Sequence, residues 1–362
     1  MNFRPGVLTD EEATGLFHYA SEQRFALPAV NVTGMNSINA TLETAREVRS
    51  PVVIQLSHTG AQFIAGASLS GSGSGLFGDG LKASISGAVS AAFHVHQLAE
   101  LYGVPVILHT DHADRKRLPW VDGLLEENRN YKDRTGMSLF SSHMLDLSTE
   151  PLEQNINTCS SYLEIMKDLG LGLEMELGVT GGIEDGFDHS EVDLPDLYTQ
   201  PEAVAIAWER LSAVSPHFTI AASFGNAHGV YRPGDIELKP EILRDARDLI
   251  QKKFRKVGTS VKFVFHGGSG CSREELRRAI SYGTVKVNIN TDLQWAFWEG
   301  IRDFYEHHRN FMQSQIGNPE GEDRPNKSWY NPQVWLREGE KRMVKRLKKY
   351  FEDLNCMGRN RI

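Results

Sequence analysis

The chain has 362 residues, 40% hydrophobic and 24% charged, the balance of a soluble globular protein with material for one large barrel or two ordinary domains. A formal net charge of −8, with lysines and arginines spread along the sequence, leaves no basic stripe for nucleic acid and no polybasic run for an anionic membrane. Cys159, Cys271 and Cys356 form no CxxC motif and cannot all pair, the N-terminal residues lack an apolar signal core, and no stretch approaches the roughly 20 apolar residues of a membrane span; a reducing, cytoplasmic setting is expected.

Short apolar runs alternate with amphipathic stretches in the rhythm of β-α units. FALPAVNV leads to a helix from about Ser37, PVVIQLS to one from about Ala83, and VPVILHTDH to one near Trp120. SLFSSHMLD, LGLEMELG, FTIAASFGN, KFVFHGGSG and TVKVNIN follow, with helix-like segments such as PEAVAIAWERL and REELRRAIS behind them. Eight units in about 290 residues predict an α/β fold, a closed TIM (β/α)8 barrel over about 25–310. An open doubly wound sheet would more often have fewer strands and a glycine fingerprint after the first. Two glycine-rich stretches, Gly66 to Gly80 and Gly178 to Leu194, fit no unit and read as mobile loops. The rhythm stops after Asn310, so 311–362 reads as a C-terminal helical arm of the same single domain, ending in the basic amphipathic helix EGEKRMVKRLKKYFEDL. Such an arm packs on the barrel or on a second subunit.

Polar residues of catalytic potential gather at the ends of the runs: Asp111 and His112 at the third, Asp146 at the fourth, Glu176 at the fifth, His228 after the sixth and His266 at the seventh. In a β/α barrel these ends share the C-terminal rim, where the active sites of this fold lie. Three neutral imidazoles, His112, His228 and His266, with one open position make a catalytic zinc arrangement, able to polarise a carbonyl or stabilise an enediolate. One strand-end histidine is more often a hydrogen-bonded structural residue; three on one rim, each beside glycine or aspartate, favour ligation.

Asp111 should point differently from its neighbour His112, which suits a general acid delivering a proton to the aldehyde oxygen as a carbon-carbon bond breaks; a helix cap is the alternative. Glu184, in the glycine-flanked GGIEDG, could swing in to take a proton from the substrate and exclude water, or be an ordinary solvated loop acid. HGGSG and VNINTD each pass from strand to helix where this barrel binds phosphate, although either could be a plain tight turn.

From about Phe25 to the C-terminal helix, the motifs ALPAVN, LHTDH, LFSSHMLDLS, LEMELGVTGG, YTQPE, SPHFTIAASFGNAHGVYRPG, FVFHGGSG, VKVNINTD and GNPEGEDRPNK give a chain that resembles the class II fructose-bisphosphate aldolases. The resemblance implies His112, His228 and His266 as zinc ligands, and Asp146 and Glu176 as carboxylates that hold metal in an alternative position. It further implies Asp111 as proton donor, Glu184 as the loop acid-base residue, and a substrate set of Asn31, Ser57, Gly229, Gly267, Gly268, Ser269, Asn288, Ile289, Asn290 and Thr291. A monovalent cation, Na+ or K+, is expected near Gly229 and Gly267, and a homodimer to which the arm contributes.

Departures bear on the substrate. Asn290 stands where the family has aspartate, Ser328 where a second lysine is frequent, and His58-Thr59 where Asn-Gly is usual. Gln333 replaces an arginine that in the family grips the far phosphate of fructose 1,6-bisphosphate from the neighbouring subunit. Glutamine supplies neither its charge nor its fork, a loss of about 1.5 to 3 kcal/mol that Lys327 offsets in part. Reversible cleavage of fructose 1,6-bisphosphate to dihydroxyacetone phosphate and glyceraldehyde 3-phosphate is the expected activity. The alternative is the same aldol chemistry on a ketose 1-phosphate or another sugar lacking the far phosphate. A non-catalytic sugar-phosphate sensor would not need the complete set of Asp111, Glu184 and three histidines, and a zinc hydrolase would leave the phosphate turns without a purpose.

Overall fold

In the computed structural model, residues 3–70, 80–184, 187–189, 197–229, 237–254 and 261–360 are described. The strands are β1 Leu27–Asn31, β2 Val52–Leu56, β3 Pro105–Ala113, β4 Ser142–Leu145, β5 Gly172–Leu177, β6 Phe218–Ala222, β7 Phe263–Phe265 and β8 Thr284–Ile289. Each pairs in parallel with the next, and β8 returns to β1, closing the expected eight-stranded barrel. Valine, isoleucine, leucine and phenylalanine dominate runs buried on both faces, as parallel strands under a helical coat require.

The helices are α1 Asp10–Gln23, α2 Met35–Glu47, α3 His58–Ala65, α4 Gly80–Tyr102, α5 Leu118–Thr135, α6 Leu152–Leu169, α7 Pro201–Ser212, α8 Glu241–Phe254, α9 Arg273–Ser281, α10 Thr291–His308, α11 Lys327–Tyr330 and α12 Pro332–Asp353. Two of these escaped the β-α rhythm. α1 precedes the first strand; its capping box, Thr9 with Glu12, and the acidic first turn Asp10, Glu11, Glu12 are local start signals that do not depend on the barrel. It lies at the N-terminal mouth, where Asp10, Ala13, Thr14 and Phe17 line a small cavity with His109, Glu174 and Lys286 from the barrel interior. α3 follows β2 directly, capped by the Ser57 hydroxyl, which accepts from the Gly60 N–H at 3.1 Å.

The first glycine-rich stretch carries a short 3-10 turn at Ala67–Ser70, and 71–79 lie outside the described residues. The second departs from a loop: Gly181–Glu184 and Phe187–His189 form an antiparallel hairpin that pairs in parallel with Ala227–His228. Residues 185–186 and 190–196 of that stretch are likewise outside the described set. In the C-terminal segment, a hairpin of Ile316–Asn318 and Gly321–Pro325 precedes α11. α12 then packs on α10 and α2, and the Ala26 N–H donates to the Leu354 carbonyl at 3.1 Å, so the last helix lies on the barrel beside its first strand.

The α10–α12 contact depends on a glycine. A Cβ at Gly300 would stand 2.3 Å from the Glu338 carbonyl oxygen, a backbone atom that cannot swing aside. Gly300→Val is therefore expected to lower unfolding stability by about 1 to 3 kcal/mol. Gly15→Ala on α1, where nothing lies within 4 Å of the new methyl, should instead gain about 0.5 to 1 kcal/mol from helix propensity, both read by chemical denaturation.

Candidate active site

β3 brings two adjacent residues into the barrel mouth at once. Ordinary strand alternation would send Asp111 and His112 to opposite faces. The pairing of β3 with β4 slips between Thr110 and Ala113, and His112 adopts φ +37°, a left-handed conformation unusual for a residue with a Cβ. Both side chains end up buried, with Asp111 Oδ1 4.0 Å from His112 Nε2, but they face different neighbours.

Asp111 sits among side-chain amides. Asn31 Nδ2 and Gln55 Nε2 each donate to its Oδ2 at 2.9 Å, and Asn288 Nδ2 donates to Oδ1 at 3.3 Å. Burial pushes its pKa up, but the His112 charge and these donors outweigh that and hold it below the ordinary carboxylate value. Asp111 is thus an ionised carboxylate at neutral pH, a proton acceptor before it can be a donor.

His112, His228 and His266 converge, with ring centroids 4.7 Å apart for His112 and His266, 5.2 Å for His112 and His228, and 5.9 Å for His228 and His266. One nitrogen from each lies within 4.8 Å of the others, and all three residues are buried. Two of the rings direct an N–H outward onto a carboxylate: His112 Nδ1 to Asp146 Oδ2 and His266 Nε2 to Glu174 Oε1, both at 2.9 Å. Their remaining nitrogens, His112 Nε2 and His266 Nδ1, face each other at 3.0 Å. In the neutral tautomers these are two opposed lone pairs, and a cation set between them, proton or metal ion, satisfies both. The donor set of three imidazole nitrogens suits zinc.

The electrostatics follow. Burial would lower His112, but Asp111, Asp146 and Glu176 around it raise it to about 10, so in the metal-free cluster His112 carries the bridging proton. Burial, then the His112 charge, holds His228 and His266 well below the usual histidine value. Burial raises Glu176, and the adjacent Asp146 raises it further. Glu176 Oε2 makes no hydrogen bond, although it lies 3.5 Å from His112 Nδ1 and 3.9 Å from His266 Nδ1. His112, Asp146 and Glu176 form a second possible metal grouping sharing His112 with the first.

Other expected residues collect on the same rim. Gly267, at φ +70°, would place a Cβ 2.2 Å from the Ala227 carbonyl oxygen, so only glycine fits. The Gly268 N–H donates to the Asn288 carbonyl at 3.0 Å, and Ser269 Oγ accepts from the Asn290 and Asp292 N–H groups at 3.3 and 3.4 Å. The β7 turn thereby lies against the start of α10, with Ile289 ending β8 and Thr291 opening the helix. Asn290 Oδ1 accepts from Gln294 Nε2 at 2.7 Å. Gly229, at φ +100°, follows His228 directly. Glu184 lies on the hairpin strand that pairs beside His228, and its side chain is outside the described set. Lys327 is not in this cluster: it is exposed at the start of α11, as is Gln333 at the start of α12.

Four residues near the site went unread in the sequence: His109, Glu174, Lys286 and Asn226. The first three stand two positions before Asp111, Glu176 and Asn288 on the same strands, so strand alternation, applied one step deeper, would have found them. Asn226 donates to the His266 carbonyl at 3.0 Å and to Thr180 Oγ1 at 3.4 Å, joining the exits of two strands to the hairpin. A third possible metal grouping, His109, Asp111 and Glu174, already has a cation, because Lys286 Nζ bonds Glu174.

The profile of the family described as fructose-bisphosphate aldolase class-II matches residues 11–359. A fructose-bisphosphate aldolase of Campylobacter jejuni is 53% identical over 358 residues, covering 99% of this chain and 98% of the relative. A fructose-bisphosphate aldolase class 2 of Escherichia coli K12 is 53% identical over 355 residues, covering 98% and 97%. A crystal structure of fructose-bisphosphate aldolase from Campylobacter jejuni superposes with a TM-score of 0.88 at 51% identity, covering 99% of this chain and 97% of that one.

Zinc added to chelator-stripped protein at neutral pH is expected to displace the His112 proton. A pH indicator in weakly buffered solution should register release of at least about one proton per ion bound; zinc uptake without proton release would place the ion away from His112.

Proposed function

The chain belongs to the class II fructose-bisphosphate aldolases, and we propose that it reversibly cleaves fructose 1,6-bisphosphate to dihydroxyacetone phosphate and glyceraldehyde 3-phosphate, using zinc held by His112, His228 and His266. The opposed nitrogens of His112 and His266, with His228 beside them at the C-terminal rim, carry this reading. When bound there, zinc supplies a Lewis acid that polarises the ketose carbonyl and stabilises the negative charge developing on it.

The chain's own groups move the protons. Cleavage of the bond between carbons 3 and 4 requires the hydroxyl on carbon 4 to lose a proton, and Asp111, ionised and fixed by three amides, is the acceptor. In condensation it returns that proton to the aldehyde oxygen, so the acid role read from sequence belongs to the synthetic direction. Glu184, on the hairpin beside His228, gives a proton to carbon 3 in cleavage and removes it in condensation. Asp146 orients His112, and Asp146 with Glu176 offers the ion an alternative position.

The turn Gly267–Ser269 and the start of α10 at Asn288–Thr291 support a phosphate site, with Asn31, Ser57 and Gly229 on the same rim. The positive-φ backbone at Gly229 and Gly267 supports a monovalent cation, Na+ or K+, beside that phosphate. Exposed Trp295, Trp298 and Tyr305 on α10 and Ile316 on the following hairpin favour a homodimer in which the arm, with Lys327, meets the partner. Three free cysteines, and the absence among the described residues of any helix long and apolar enough to cross a membrane, agree with a cytoplasmic enzyme.

Gln333 favours a second reading, in which the substrate lacks the far phosphate. Steady-state cleavage of fructose 1,6-bisphosphate and fructose 1-phosphate, with and without EDTA, separates the two. EDTA-sensitive activity favouring the bisphosphate is expected, and Gln333→Arg should widen that preference roughly tenfold to a hundredfold. Comparable cleavage of the monophosphate would establish the second reading. Asp111→Ala should lower kcat about 100- to 10,000-fold. Trp298→Asp should shift the sedimentation coefficient from dimer to monomer.

A further inference from the structure

Beneath the histidine cluster lies a second polar layer. His109, Glu174 and Lys286 sit two residues before Asp111, Glu176 and Asn288 on β3, β5 and β8, so the period of the strand sends them to the same inner face, one step deeper. All three are buried. Lys286 Nζ lies 3.0 and 2.8 Å from the two Glu174 oxygens, and Thr219 Oγ1 donates to Glu174 Oε2 at 3.4 Å. Glu174 Oε1 also accepts the His266 Nε2–H at 2.9 Å. An ion pair this deep is a poor source of stability, because desolvation of two charges offsets their attraction. What distinguishes the pair is that it ends on a ring whose other nitrogen faces the zinc position.

We propose that Glu174 and Lys286 are positioning residues for the metal: they hold His266 in the Nε2–H tautomer with Nδ1 bare toward the ion, and so set how tightly the site retains zinc. The inference rests on His112, His228 and His266 being the zinc ligands. His266 cannot turn its ring or exchange its proton between nitrogens without breaking the bond to Glu174. Lys286 supplies the counter-charge that keeps a carboxylate at this depth, donating to both Glu174 oxygens, including the Oε1 that accepts from the ring. Asp146 plays the corresponding part for His112 at the rim, without a lysine. The difference follows depth: Asp146 has Ser148 donating to it through both hydroxyl and backbone, whereas Glu174 is enclosed by the barrel.

Glu174→Met alone would leave Lys286 buried without its partner, so the informative variant is the double, Glu174→Met with Lys286→Met, which removes both charges and the acceptor for the His266 Nε2–H while roughly conserving volume. The chelator-stripped double variant should unfold near the wild-type midpoint, while its zinc dissociation constant, from competition with a chromophoric chelator, should rise about tenfold to a hundredfold. Unchanged zinc affinity in a folded double variant overturns the proposal. His266→Ala, run beside it, separates two failures. Zinc weakened in His266→Ala but not in the double variant defeats the positioning role alone, whereas zinc unaffected in both defeats the ligand assignment. If the double variant does not fold, nitrogen-15 histidine NMR of the zinc-loaded wild type decides, with the His266 signal identified by its loss in His266→Ala. A slowly exchanging Nε2–H supports the proposal, and a proton on Nδ1 overturns it.

Discussion

Two imidazole nitrogens that face each other across 3.0 Å in a buried barrel mouth cannot both remain lone pairs without something positive between them. Much else at the site answers that constraint. The N–H groups on the far sides of these two rings are committed to Asp146 and Glu174, which turns the other nitrogen of each ring inward. Asp111 and Asp146 flank the position with negative charge, which favours a proton on His112 when no metal is bound and suits a divalent ion. Asp111 itself is held ionised by the positive groups around it, His112 first, with Lys286 below and the Asn31 amide beside it.

Such a cluster needs a dry, rigid surround, and the barrel provides it in layers. Eight parallel strands close on themselves, α1 covers the N-terminal mouth, and the interior below the histidines holds a neutralised pair where an apolar layer would be ordinary. At the C-terminal rim the slip in the β3–β4 pairing and the left-handed backbone of His112 let one strand end present both Asp111 and His112, a local distortion that surrounding hydrogen bonds hold in place.

The phosphate end obeys a different economy of charge. The β7 turn approaches the start of α10 so closely that Gly267 and Gly268 tolerate no side chain, and Ser269 joins the two by accepting from the Asn290 and Asp292 N–H groups. Asn290 at that start is neutral and tied to Gln294, and the carboxylate of Asp292 in the first turn accepts from the Tyr350 hydroxyl. On the exposed arm, Gln333 offers no charge, and Lys327 opens α11 six residues before it.

The sequence by itself determined the number of strands, their rim residues and the three histidines, because strand runs and strand-end polar residues are local patterns read along one dimension, and a resemblance spread over most of the chain named the rest of the set. Elements outside that rhythm, among them α1, α3 and the hairpin of Gly181–Glu184 and Phe187–His189, were missed: α1 precedes the first unit, and the hairpin is anchored by pairing with Ala227–His228, more than forty residues away. Tertiary structure alone decided which atoms meet. No spacing in one strand reveals that Glu174 on β5, Lys286 on β8 and His266 at the end of β7 share a hydrogen-bonded chain, or that Asn31, Gln55 and Asn288 from three strands surround Asp111. Those contacts exist because barrel closure and strand register bring distant residues to one level, and tautomer, charge state and metal geometry are properties of that level rather than of any segment.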